Sequence, residues 1–116
     1  MEAQVTRLYT GPDGESHFED TKIPLNDDRG SSRRSEFMKA TGIIFHEFNV
    51  KELDWHNAPC RQFAISLEGD FEVEVGDGTR RRFKAGDVIL AEDTTGRGHI
   101  SHLLDNPLKA IFVTLE

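Results

Sequence analysis

Apolar residues recur at every second position along much of the chain, in short runs broken by turn residues. The clearest unit is FEVEVGDGTRRRF. Phe71, Val73 and Val75 alternate with Glu72 and Glu74, the period of a strand with one buried face. Asp77-Gly78 supplies a tight turn, and residues 79–83 run back as the partner strand. A second turn at residues 84–87 (KAGD) precedes the apolar strand Val88–Ala91, and residues 93–98 read as a loop. Two more strands are expected near residues 99–104 and 109–115, with Asn106-Pro107 turning between them. Upstream, Gly42–Phe48, residues 6–10 and a short piece around residues 21–25 also read as strands. Between them, NDDRGSSRRSEF is polar and aperiodic, a surface loop or a lid, and residues 36–40 offer at most one helical turn. No window carries a sustained helical stripe, and no repeat is visible.

Nine or ten short strands with turns at regular spacing predict an all-β fold, either a sandwich or a closed barrel. With 116 residues the chain supports one domain, and a jelly roll enclosing a single pocket is the natural candidate. Residues 1–41 then add N-terminal strands and the polar loop to a core barrel formed by residues 42–116.

Composition narrows the function. Hydrophobic residues make up 36% and charged residues 30%, the balance of an ordinary soluble protein. The longest apolar runs, residues 43–45 and 110–113, fall far short of the roughly 20 residues that cross a bilayer. The first residues, MEAQVTRLY, lack an apolar signal core, so a cytoplasmic protein without a membrane partner is expected. A net charge of −7 argues against nucleic acid. The one basic cluster, Arg80, Arg81, Arg82 and Lys84, is expected to split between two strand faces and balance Glu72 and Glu74 across the hairpin. The lone Cys60 excludes an internal disulfide and fits a reducing compartment.

The chemistry concentrates in DWHNAPCRQFAISLEG, residues 54–69, and in the loop EDTTGRGH, residues 92–99. The first resembles the motif G-x5-H-x-H-x3,4-E-x6-G of the cupin superfamily. His56 stands at the first histidine, Ala58 at the second, Gln62 at the glutamate and Gly69 at the closing glycine. The second resembles G-x5-P-x-G-x2-H-x3-N. Gly86 opens it two residues early, Thr94 replaces the proline, Gly96 and His99 match, and Leu103 replaces the asparagine. The chain is similar to small single-domain cupins that carry an RQF segment, here Arg61-Gln62-Phe63, and an EDTTGxGH loop. The likeness spans residues 42–115.

That resemblance implies a jelly-roll barrel and a divalent transition metal (Zn, Fe, Ni or Mn) held in it by three histidines and a glutamate. This chain keeps His56 and His99 and offers the Gln62 amide; Ala58 contributes nothing, and His46 on an earlier strand is a further candidate ligand. Without an ion, the same residues line a metal-free pocket. Strand parity puts Gln62, Ala64 and Ser66 toward the cavity, with Ala64 and Ser66 leaving room for a ligand. Phe63, Ile65 and Leu67 then face a second layer or a neighbouring subunit. His102 should point away from His99, and His17 should be exposed. Trp55 is a rim residue that can also stack on a ligand.

Two functional classes follow. The first is an enzyme binding a small oxygenated metabolite (a sugar acid, keto acid or enol), with metal-assisted isomerase, lyase or hydrolase chemistry. His99 or His56 would shuttle a proton, and Glu92 or Asp93 would act as base at the mouth. The second is a non-catalytic ligand-binding or sensing cupin without metal. Cys60 lacks a basic partner for nucleophilic chemistry, and the acidic pair Glu92-Asp93 argues against phosphate in the glycine loop. A homodimer is expected through N-terminal strands and the Phe63 face.

Overall fold

A computed structural model describes residues 1–116. Twelve strands follow one another: β1 (Glu2–Thr10), β2 (Ser16–Pro24), β3 (Asp27–Asp28), β4 (Arg33–Arg34), β5 (Gly42–Phe48), β6 (Glu52–His56), β7 (Gln62–Glu68), β8 (Phe71–Glu74), β9 (Arg80–Phe83), β10 (Val88–Ala91), β11 (His99–Leu103) and β12 (Leu108–Thr114). There is no helix, and so none long and apolar enough to cross a membrane. The helical turn expected over residues 36–40 is absent. Phe37 there is fully exposed, so no packed apolar face offsets the cost of nucleating a single turn.

From β5 onward the chain passes back and forth between two sheets. One has the order β2-β1-β10-β7-β12-β5 and the other β6-β11-β8-β9. The eight strands of residues 42–116 thus form the jelly roll that the sequence implies, in an all-β architecture. No hydrogen-bonded strand closes one sheet onto the other, so the result is a two-sheet sandwich rather than the barrel expected. The N-terminal hairpin is longer than its sequence pattern indicated: nine cross-strand pairs join β1 to β2, and β1 runs parallel to β10 of the same chain.

The predicted hairpin is present in register. Phe71 faces Phe83, Glu72 faces Arg82, and Glu74 faces Arg80. Arg80 pairs with Glu74 at 3.0 Å and Arg82 with Asp70 at 2.8 Å, while Arg81 turns to Asp20 on β2 at 2.6 Å. Three of the four basic side chains of the cluster are thus paired locally. Inside, Leu8, Val73, Val75, Phe83, Ile89 and Ala91 form one core cluster. Each fully buried large aliphatic or aromatic side chain there contributes about 1.5–3 kcal/mol.

β7 divides as its alternation requires. Gln62 and Ser66 are buried toward the second sheet, with Ala64 between them on the same face. The other face carries two apolar cross-strand rows, Phe45–Ile111–Ile65–Val88 and Ile43–Val113–Phe63–Leu90. No sheet of this chain lies on that face, and Ile43, Phe45 and Leu67 are exposed.

Candidate functional site

β6 ends on His56 and β11 begins on His99, and the two are direct cross-strand partners. Their rings lie 4.4 Å apart, centroid to centroid, and both face the space between the sheets. Such an approach needs a residue without a side chain next to His99. Gly98 supplies it, with φ of +79°, and a Cβ there would stand 2.1 Å from the His56 carbonyl oxygen.

Each imidazole is anchored through Nδ1. His56 Nδ1 lies 2.7 Å from the Asp54 carbonyl oxygen, which can only accept, so Nδ1 carries the proton. His99 Nδ1 lies 2.6 Å from Asp93 Oδ2, which also accepts the Ser16 hydroxyl at 2.7 Å. In its neutral form each ring therefore has its free lone pair at Nε2. A second group fixing the tautomer of a working imidazole is the arrangement that catalytic and metal-ligating histidines share.

The loop after β10 makes this possible by folding inward. Asp93 is 0% exposed, and its Oδ1 has no hydrogen-bond partner. The loop is pinned on three sides. The Glu92 amide donates to Leu8 O, the Arg97 amide to Gly14 O, and the Ala58 amide to Asp93 O. Asn57 Nδ2 approaches the carbonyls of Asp93, Thr95 and Gly96 at 2.9–3.3 Å. Sequence reasoning placed Asp93 at the mouth and did not reach Ser16 or Asn57, because their partners are set by chain segments far away.

Burial, first, holds the His56 imidazole below its ordinary value, and the His99 charge adds to this; the Asp54 carbonyl and Asp93 oppose it. His56 is thus neutral at pH 7, with Nε2 able to accept a proton. Because its folded value lies below 6.5, the unfolded chain binds more protons as pH falls past 6.5. The stability from neutral His56 is fully present above that pH and is lost as pH drops through the folded value. Urea unfolding at pH 7.5 and 5.0 checks this: His56→Gln should lose less stability across the interval than the unmodified chain. Equal losses would contradict the assignment.

The remaining candidates separate. Ala64 and Ser66 line the cavity. Trp55 does not; next to inward-facing His56 it turns outward, under the Arg97 guanidinium at 4.0 Å. Glu92 follows inward-facing Ala91 and so points out, between Arg7 and Arg61. Burial pushes its carboxyl up, but the hydrogen bonds and charges of Arg7 and Arg61 outweigh this and hold it below the usual range, which makes it a poor base near neutral pH. Arg61 is a surface partner, as its parity requires. His46 faces the cavity but stacks on Phe112 at 4.7 Å. It shares a cross-strand row with Ala110 and Ser66, four residues along from Gln62, or roughly 13 Å at 3.3 Å per residue. His102 lies on the opposite face with Glu74, and His17 pairs with Asp13 near the surface. The Cys60 thiol approaches Gln62 Oε1 at 3.9 Å and has no basic partner.

A divalent ion finds two good donors here, the Nε2 atoms of His56 and His99, and a neutral one in the Gln62 amide. No three His, Cys, Asp or Glu side chains stand together as a site. Asp93 is already engaged by His99 and Ser16. The donor set therefore fits an ion held weakly, with water completing its shell.

The cavity measures about 240 Å³, and 14 of its 22 lining residues are hydrophobic. His56, Asn57, Gln62 and His99 form one end; Phe48, Leu53, Phe71, Leu103, Leu108 and Phe112 form the other. Ile44 shares the inner face of its sheet with Phe112 yet is 46% exposed, which marks the β5 edge as the side where the sandwich opens.

No family model matches the chain, and no curated protein matches it. Solved structures do. Protein NMB1881 from Neisseria meningitidis superposes with a TM-score of 0.50 at 18% identity, covering 70% of this chain and 81% of that one. A Salmonella typhimurium LT2 protein, designated a candidate ethanolamine utilization protein Q, gives a TM-score of 0.49 at 15% identity and covers 97% and 95%. At such identities what is shared with NMB1881 is the fold alone, so the chemistry must be read from His56, Gln62, Asp93 and His99 themselves.

Proposed function

We propose that the protein binds a small oxygenated molecule between its sheets and moves a proton on it, an isomerase- or lyase-type reaction. The observation that carries this reading is the pair of Nδ1-anchored imidazoles, His56 and His99, which face one cavity between the sheets.

In a keto acid or its enol, the C–H proton next to the carbonyl passes to Nε2 of one imidazole. The C–H pair becomes the C=C π bond, the carbonyl π pair moves to oxygen, and the resulting enolate takes a proton back at carbon or oxygen. Asp93 keeps the His99 ring and its tautomer fixed through this cycle, with Ser16 fixing Asp93. The Gln62 amide, on the same cavity wall, would donate to the enolate oxygen. The largely apolar lining lowers the local polarity, which strengthens each of these contacts. A divalent ion, if held by His56, Gln62 and His99, would polarise the same oxygen.

A second reading, ligand binding without turnover, is favoured by the amide at position 62 where the related motif has a carboxylate. Incubating the protein with small 2-oxo acids and 1,3-diketones in D2O separates the two. Proton NMR should show deuterium entering the carbon next to the carbonyl faster than in buffer. His99→Ala should lose about 10²–10⁴ of that rate, the usual scale of general acid–base catalysis. Binding without faster exchange would leave the non-catalytic reading. Repeating the assay after chelation, with elemental analysis of untagged protein, shows whether an ion takes part: a weakly held one should fall well below one equivalent after dialysis.

A further inference from the structure

The polar and apolar groups of the cavity are segregated along its length, and that limits what can fill it. At the His56–His99 end the free hydrogen-bonding groups are the two Nε2 atoms and the Gln62 amide. The Asn57 amide nearby is already engaged, its Nδ2 serving three backbone carbonyls. Four residues along β11, roughly 13 Å at 3.3 Å per residue, Leu103 faces Phe71. There Leu103, Leu108 and Ala110 pack with Phe48, Leu53, Phe71 and Phe112. On the β5 wall His46, Phe48 and Phe112 form an aromatic trio with centroids 4.7–6.1 Å apart.

A polyhydroxylated ligand would bury several hydroxyls against this second half, where the only polar side chains of the lining are the Ser101 hydroxyl, the His46 ring and the Ser66 hydroxyl, which already donates to Gly69 O at 2.6 Å. Each unpaired hydroxyl is costly to bury. A hydrocarbon or a single aromatic ring costs nothing there and gains by leaving water. The volume of about 240 Å³ equals about eight water-sized groups at ~30 Å³ each.

Building on the proton-transfer site above, we propose that the ligand is a head-and-tail molecule. It carries one oxygenated head, a keto, enol or carboxyl group, at His56, Gln62 and His99. Its compact apolar tail, a monocyclic aromatic or a short branched chain, lies against Phe71, Leu103 and Phe112. Sugar acids are excluded by the same argument.

Calorimetric titration of the unmodified protein tests this with straight-chain 2-oxo acids of three to nine carbons, phenylpyruvate, and the sugar acids glucuronate and galacturonate. Affinity should rise about fourfold per added methylene until the cavity is full, the factor that burying one CH2 supplies. Phenylpyruvate should bind at least as well as the best chain, and the sugar acids about a hundredfold more weakly than a hydrocarbon keto acid of similar size. Affinity independent of chain length, sugar acids binding as well as keto acids, or no member binding at all would each overturn the proposal. His56→Ala and His99→Ala titrated with the same series keep the two ideas apart. Binding that depends on both histidines but not on chain length sinks the tail alone. Chain-length dependence that survives in both variants sinks the proton-transfer site and leaves the apolar chamber standing.

Discussion

Asp93→Asn is expected to move the ring proton of His99 from Nδ1 to Nε2. In the native chain the Asp93 carboxylate accepts from the Ser16 hydroxyl and from His99 Nδ1–H, both at Oδ2. An asparagine fits the same space and has one oxygen and one NH2 group. Both native bonds fall on Oδ2 while Oδ1 has no partner, so the amide NH2 takes the Oδ2 position, where it donates to the Ser16 oxygen and faces His99 Nδ1 as a donor. The imidazole answers by presenting a lone pair at Nδ1 and carrying its proton at Nε2, so the atom facing the cavity changes from acceptor to donor. Long-range 15N–1H correlation of the imidazoles should show the tautomer change at His99 while His56, anchored to the Asp54 carbonyl, keeps its own. The deuterium-exchange rate should fall by about 10²–10⁴ if His99 is the base.

The stability cost separates chemistry from architecture. Asp93→Ala leaves the Ser16 hydroxyl and His99 Nδ1–H without their buried acceptor and should destabilise by about 1–3 kcal/mol for each. Asp93→Asn, which keeps both hydrogen bonds in altered form, should cost clearly less. Equal losses of stability in the two variants, with no tautomer change in Asp93→Asn, would mean that Asp93 merely fills space.

How much of this was legible in the sequence depends on the distance over which each feature is set. The hairpin from Phe71 to Phe83 was readable because alternation and the Asp77-Gly78 turn are local, and the pairs Glu72–Arg82 and Glu74–Arg80 follow from register. The facing of Gln62, Ala64 and Ser66 was likewise a matter of parity. Parity would also have turned Glu92 and Trp55 outward, since each adjoins a residue that faces in. What no local pattern carries is the burial of Asp93. A carboxylate in EDTTGRG looks solvated until Ser16, 77 positions earlier, and the Asn57 side chain close around it. Nor does sequence tell that His46, correctly turned inward, lies too far along its strand to join His56 and His99.

Gly98→Ala should be among the most damaging single-methyl changes in the molecule. At φ of +79° the residue sits in the left-handed region, where a side chain costs on the order of 1–2 kcal/mol by itself. The added Cβ would also meet backbone, not a movable side chain: His56 O at 2.1 Å, His56 C at 2.5 Å and Asn57 N at 3.0 Å. Relief requires β6 and the start of β11 to part at the point where His56 and His99 face each other. The expected loss is on the order of 3 kcal/mol or more, combining strained backbone with lost packing, or a melting temperature lower by about 10 °C in a chain of this size. Gly78→Ala is the control. It has the same sign of φ, +86°, but nothing within 4 Å of its Cβ, so it should show the backbone penalty without the collision. Thermal melts that place the two variants together would show that β6 and β11 can separate without cost, and that the close approach of the two imidazoles is not built into the fold. A Gly98→Ala protein that melts far below Gly78→Ala, and no longer shows the acid-side stability loss assigned to His56, would tie the apposition of the two rings to the missing side chain at position 98.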